Sequence, residues 1–121
     1  RLVGSEMCIR DRLKCGRAAD ILKSLPADIE PFDFIFIDAD KQSYPEYLEL
    51  SLNLSHSGTL IFLDNVIRAG DIINPENHKP SIEGIRDMFK AMQNHPKILS
   101  CTALQTVGSK GHDGFALAIV K

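Results

Sequence analysis

FDFIFIDADK, residues 32–41, and TLIFLDN, residues 59–65, are the two stretches that decide the fold. Each is a short run of aromatic, aliphatic and β-branched residues that stops abruptly on an aspartate. A continuous apolar run of this length, bounded by turn formers, reads as a buried strand of a parallel sheet. Between the two, Ser43 followed by Glu46 has the pattern of a capping box, with Pro45 in the first turn. Tyr44, Tyr47, Leu48 and Leu52 then fall on one helical face, and Gly58 is placed to end the unit. A strand, a helix and a second strand of the same type predict a parallel pair joined by a crossover helix.

Working outward, Ala18, Ala19, Ile21, Leu22 and Leu25 fit a short helix that Pro26 closes, and Pro31 introduces the first strand. On the other side, residues 74–79 are polar and turn-rich. Ser81 can cap a helix whose inward face is Ile82, Ile85, Met88, Phe89 and Met92, and Pro96 stops it. Residues 98–104 and 115–120 read as two last strands. The glycine-containing loop 107–114 is short enough to make them an antiparallel hairpin. The fold class is therefore α/β, a parallel sheet with a C-terminal antiparallel hairpin. Residues 13–121 read as one domain or part of one, without repeats or linkers. Residues 1–12 (RLVGSEMCIRDR) have no period and look like translated adapter read-through, so they are set aside as a non-native segment.

Composition narrows the partners. With 14 Lys and Arg against 16 Asp and Glu, the formal charge of −2 offers nothing to a nucleic-acid backbone or an anionic membrane. A small molecule is the expected partner. No stretch reaches the roughly 18 apolar residues that span a bilayer, and residues 1–12 lack the apolar core of a signal peptide, so the expected location is cytoplasmic. Cys8, Cys15 and Cys101 are odd in number and form no CxxC pair, which reads as buried or free thiols rather than disulfides or a zinc site.

In an open α/β sheet, ligands lie in the crevice beyond the carboxyl ends of the strands. Both strand ends here are acidic. If the strands are neighbours, about 5 Å apart, Asp38, Asp64 and Asn65 converge. Two carboxylates and an amide oxygen are hard ligands that suit Mg²⁺, with Mn²⁺ or Ca²⁺ as alternatives, and leave coordination positions for water and substrate oxygens. Without a cation between them, two facing carboxylates in a partly dry crevice would repel, and one would take up a proton. The plain alternative for either acid alone is a turn former or a helix cap. This pattern identifies a site and leaves several metal-enzyme classes open.

FDFIFIDADKQSYPEYLEL followed by GTLIFLDNVIRAGDI resembles the metal-binding core of the metal-dependent, S-adenosylmethionine-using O-methyltransferases of the catechol and caffeoyl-CoA type. The ending QTVGSKGHDGFALAIVK is similar to a bacterial branch of that family. The likeness runs from about residue 13 to the end. It implies a Rossmann-like methyltransferase sheet, S-adenosyl-L-methionine and a divalent cation as cofactors, a small hydroxylated, catechol-like acceptor, and a homodimer as the assembly to look for. By motif, Asp38, Asp64 and Asn65 would hold the ion, with Asp38 also beside the substrate. Lys41 would accept the acceptor's proton or activate it electrostatically; a solvated surface lysine is the plain alternative. Asp40 would face the cofactor, and Ala18, in a Gly-x-Ala element with Gly16, would contribute to the adenine pocket. Tyr44 and Tyr47 read as helix packing. Arg68 stands where many plant members have an aromatic residue, which argues against a caffeoyl-CoA acceptor. The four histidines show no ligand spacing and read as surface turns, with His112 bordering the crevice.

The reaction implied is in-line displacement at the sulfonium methyl group by an acceptor hydroxyl that the ion fixes and acidifies. Two other readings stand beside it: an Asp-x-Asp phosphoryl- or glycosyl-transfer enzyme using Mg²⁺ or Mn²⁺, and a non-catalytic truncated domain. The second arises because a sulfonium nucleoside needs a glycine-rich turn after a first strand and an acid after a second, and neither is legible ahead of residue 13. On that reading the chain is a C-terminal part, inactive by itself, whose first strand becomes an exposed apolar edge that lowers solubility.

Overall fold

The computed structural model describes residues 12–121; the expectation of a non-native segment at residues 1–12 falls almost wholly outside them. In chain order the elements are helix α1 (Ala18–Ser24), strand β1 (Phe32–Ile37), a 3₁₀ turn (Lys41–Ser43), helix α2 (Tyr44–Asn53), strand β2 (Ser55–Asp64), a second 3₁₀ segment (Arg68–Ile73), helix α3 (Pro80–Met92) and strands β3 (Ile98–Gly108) and β4 (Gly111–Val120). The four strands form one mixed sheet in the order β1-β2-β4-β3. β1 and β2 are parallel, and β4 runs antiparallel to both β2 and β3.

Local chemistry explains most boundaries and corrects several. The chain enters α2 through the Lys41–Ser43 turn, and Ser43 makes no capping bond from its side chain. Glu46, the other half of the expected capping box, instead accepts a 2.6 Å bond from Lys23 Nζ and ties α2 to α1. Gly58 lies inside β2, not before it. It takes φ +93 where the β1–β2 register shifts between Phe32 and Phe34, so it serves a bulge. The buried Thr59 hydroxyl closes that bulge by accepting from His56 N–H and donating to the Phe32 carbonyl, 2.6 Å away. α3 starts at Pro80 with Lys79 as its cap, so Ser81 sits within the first turn. The helix ends at Met92 and the chain reverses through Asn94 at φ 58, ahead of Pro96. The expected eight-residue hairpin loop shrinks to Ser109 and Lys110, because both strands extend through the glycines Gly108 and Gly111.

The core lies between one face of the sheet and the helices. Ile37, Ile61, Leu63, Ala116, Ala118 and Val120 of the strands meet Tyr44, Tyr47, Leu48 and Leu52 of α2 and Ile85, Met88 and Met92 of α3. Full burial of one such aliphatic side chain is worth about 1.5–3 kcal/mol. Among the described residues nothing covers the opposite face, which corrects the reading of β1 as a strand buried on both sides. Phe34 and Phe36 are 53% and 54% exposed, and Phe36, Phe62 and Phe115 stack across β1, β2 and β4 with centroids 5.1 and 4.6 Å apart. Cys15 and Cys101 are free and exposed. Among the described residues, no helix is long and apolar enough to cross a membrane.

Candidate active site

The carboxyl ends of β1 and β2 lie side by side, because Ile37 pairs with Leu63 in a parallel register. Asp38 and Asp64 therefore leave neighbouring strands at one level, as the two acidic strand ends required. Lys41, one turn beyond Asp38, is only 8% exposed, which removes the reading of a solvated surface lysine. Its ammonium donates to Asp38 Oδ1 at 3.0 Å, to the Ala39 carbonyl at 3.0 Å and to the Tyr44 hydroxyl at 2.7 Å. The Tyr44 hydroxyl in turn donates to the Asp64 carbonyl at 2.7 Å. This fully buried tyrosine thus ties Lys41 to the ends of both strands. Burial raises its pKa, against the lowering pull of Lys41, so it stays a neutral phenol able to donate and accept at once. A buried tyrosine hydroxyl needs a partner, which is the signal by which Tyr44 could have been found beyond its packing role.

Helix α3 sets the height of Lys41. A Cβ on Gly84 would lie 2.4 Å from the Lys41 carbonyl and 2.5 Å from Gln42 Cα, so only a glycine lets the helix touch the turn that carries the lysine.

Asp40 and Ala18, expected on the cofactor side, line one cleft of about 540 Å³ together with Gly16, Arg17, Ala39, Gln42, Ser43 and Tyr47. The Ser43 hydroxyl and then the Tyr47 phenol hold the Asp40 carboxyl below the ordinary carboxylate range. The cleft therefore presents a lasting negative charge. Tyr47 donates to Asp40 Oδ1, and so it too does more than pack. A second cleft, about 490 Å³, runs from Asp38 and Ala39 along β1 to Phe32 and is bordered by Ala18 and Ile21.

Beyond Asp64 the backbone is strained. Asn65, Arg68 and Ala69 have φ of 59, 55 and 56, a left-handed region that costs a non-glycine residue about 1 kcal/mol or more and collects at functional sites. Asp113 of β4 holds this turn. Its Oδ1 accepts from the backbone N–H groups of Ile67, Arg68 and Gly114, and its Oδ2 accepts from Asn65 Nδ2 at 3.1 Å. Burial works to raise the Asp113 pKa, but the hydrogen bonds from Arg68, Asn65, Gly114 and Ile67 outweigh it and leave it below the ordinary range. Farther along, the Arg86 guanidinium of α3 donates to the carbonyls of Asp71, Ile72, Asn74 and Asn77 and holds the loop after the turn in shape.

Asp38, Asp64 and Asn65 would offer two carboxylates and one amide oxygen at the strand ends. No group of three His, Cys, Asp or Glu side chains among the described residues could hold a metal. Hard oxygen donors of this number fit a divalent cation that keeps water or substrate oxygens as further ligands. His112 is exposed on β4, and His56 lies in β2 against Asp33 rather than in a turn. Asp113, Arg86 and Gly84 escaped the sequence reading because their partners are remote in the chain.

A family model described as O-methyltransferase matches residues 7–118. The catechol O-methyltransferase of Niastella koreensis is 47% identical over 91% of this chain and 50% of its own length. That of Mycobacterium tuberculosis is 41% identical over 93% of the chain and 50% of its length. The crystal structure of an O-methyltransferase from Bacillus cereus in complex with SAH superposes with a TM-score of 0.77 at 48% identity, covering 85% of this chain and 46% of that one. The chain spans about half the length of the curated relatives it matches.

Proposed function

Because the chain belongs to the O-methyltransferase family, we propose that it forms the cation-holding part of an S-adenosylmethionine-dependent O-methyltransferase acting on a small catechol-like acceptor. The observation that carries this reading is the buried Lys41 ammonium, fixed 3.0 Å from Asp38 by Tyr44, beside the Asp64–Asn65 end of the adjacent strand. When bound, the cofactor supplies an electrophilic methyl group on a charged sulfur, and the cation fixes and acidifies the acceptor hydroxyl. The protein's own residues do the rest. Asp38, Asp64 and Asn65 would hold the cation, which we take to be Mg²⁺, and Asp38 would border the acceptor. Lys41, as an ammonium, would hold positive charge where the acceptor's oxygen becomes an anion; to take the acceptor's proton it would first pass one of its own to solvent. Asp40 and Ala18 would bind the cofactor's nucleoside along their cleft. Rigid strand ends suit a displacement that depends on holding oxygen and methyl carbon in line, an effect worth about 7–11 kcal/mol at its best.

Asp-x-Asp phosphoryl or glycosyl transfer is not favoured, since the relatives matched are O-methyltransferases. The test uses a protein that carries this chain at its relatives' length, given methyl-labelled S-adenosylmethionine and catechol with and without a chelator. Label should appear on a catechol oxygen and vanish on chelation, returning with Mg²⁺. Methyl transfer that survives exhaustive chelation would refute the cation's role, and release of phosphate or sugar without methyl transfer would restore the alternative.

A further inference from the structure

The cation set contains one neutral ligand, Asn65, and an amide can meet a cation with its oxygen or oppose it with its nitrogen. The structure assigns that choice to Asp113: we propose that it is a positioning residue whose carboxylate captures the Asn65 amide nitrogen and so turns the Asn65 oxygen toward the cation. The inference rests on the cation reading above and extends it to a residue 48 positions along the chain from Asn65.

A deprotonated carboxylate only accepts hydrogen bonds, so the Asn65 atom facing Asp113 Oδ2 at 3.1 Å must be the nitrogen. Amide geometry then points Oδ1 of Asn65 away from Asp113. The same carboxylate fixes the backbone under that side chain. Its Oδ1 accepts from the N–H groups of Gly114 at 2.9 Å, Arg68 at 3.1 Å and Ile67 at 3.3 Å, while Val66 N–H donates to the Gly114 carbonyl at 3.0 Å. These bonds hold the left-handed Asn65 and Arg68 in place. Gly114 allows the approach, since a Cβ there would lie 2.3 Å from the Leu104 carbonyl and 2.5 Å from Ile67 Cγ1. At the other end, Asn65 N–H donates to Asp64 Oδ1 at 2.8 Å, so the amide and the carboxylate beside it are set by one network.

Asp113→Asn separates this role from simple support. The new amide oxygen can still accept the three backbone N–H bonds, but its nitrogen now faces Asn65, which must flip and turn its own nitrogen toward the cation. The exchange Asn65→Asp with Asp113→Asn re-forms the bond with donor and acceptor reversed and gives the cation a carboxylate oxygen. A protein that carries this chain at its relatives' length is titrated with Mn²⁺ alone, followed by water-proton relaxation, with thermal melting recorded on each variant. Asp113→Asn should weaken Mn²⁺ binding about 10–100-fold, the usual effect of losing an outer partner of a metal ligand. The exchanged pair should recover most of that loss.

An Asp113→Asn variant that binds Mn²⁺ as tightly as the parent, whether or not its melting temperature falls, overturns the inference and leaves the cation reading intact. A parent that binds no Mn²⁺ overturns both. If the single variant does not fold, the exchanged pair decides: Mn²⁺ binding supports the inference, and its absence in a folded pair overturns it.

Discussion

Lys41 is the residue on which the proposed chemistry rests, and its surroundings separate two functions that a lysine in a crevice could have. Its Nζ is within 3.0 Å of Asp38 Oδ1, so the charge that offsets the strand-end carboxylates comes partly from the protein itself. In a protein carrying this chain at its relatives' length, Lys41→Met should leave cofactor binding near normal and lower turnover by roughly 10²–10⁴, the range for a lost acid–base group. Cation affinity should not fall, because no ligand is removed. Steady-state kinetics at saturating acceptor with parallel Mn²⁺ titration checks this, and unaltered turnover would leave Lys41 as a structural bridge between Asp38 and Tyr44. Tyr44 shows how a residue that patterning assigns to the core can also serve the site: its ring packs in α2 while its hydroxyl reaches the ends of both strands.

At the scale of elements, the site is a junction of helix α3 with the turn between β1 and α2. Gly84 costs the helix about 0.5–1 kcal/mol relative to alanine, and the contact with the Lys41 and Gln42 backbone explains why it stands there. On helix propensity alone Gly84→Ala would stabilise. Because the new methyl group meets immobile backbone, we expect it instead to destabilise by about 1–3 kcal/mol, the cost of an overpacked contact, and to displace Lys41 with loss of turnover. A melting temperature that rises would show that the helix and the turn separate freely. The hairpin β3–β4 does comparable work at the other wall, since β4 both pairs with β2 and delivers Asp113 to the turn that β2 runs into.

For the whole molecule, the notable property is asymmetry. Among the described residues, helices cover one face of the sheet, while the other presents the Phe36–Phe62–Phe115 stack, and β1 is an edge strand with Phe32, Phe34 and Phe36 all substantially exposed. An apolar face beside an unpaired edge recruits other chains. The 121-residue chain by itself should therefore associate at micromolar concentration, and Phe34→Lys with Phe36→Lys should reduce the association. Light scattering on both proteins checks this, and a monodisperse parent would show that the face is tolerated in water.

The sequence by itself determined the strand–helix–strand unit, the α/β class with its closing hairpin, and the pairing of Asp38 with Asp64 and Asn65 at strand ends. These follow from local periodicity and from residues a few positions apart: an apolar run ending on an acid, or Tyr44, Tyr47, Leu48 and Leu52 on one helical face. Tertiary structure alone decided that Lys41 is buried, that Asp113 holds Asn65, that Arg86 gathers four loop carbonyls and that, among the described residues, one sheet face lacks a cover. Each depends on where elements distant in the chain come to rest, and a side chain's hydrogen-bond partner 48 residues away leaves no period in the sequence. Local order follows from neighbours along the chain, whereas the direction in which the Asn65 amide points follows from a carboxylate that only the closed sheet brings to it.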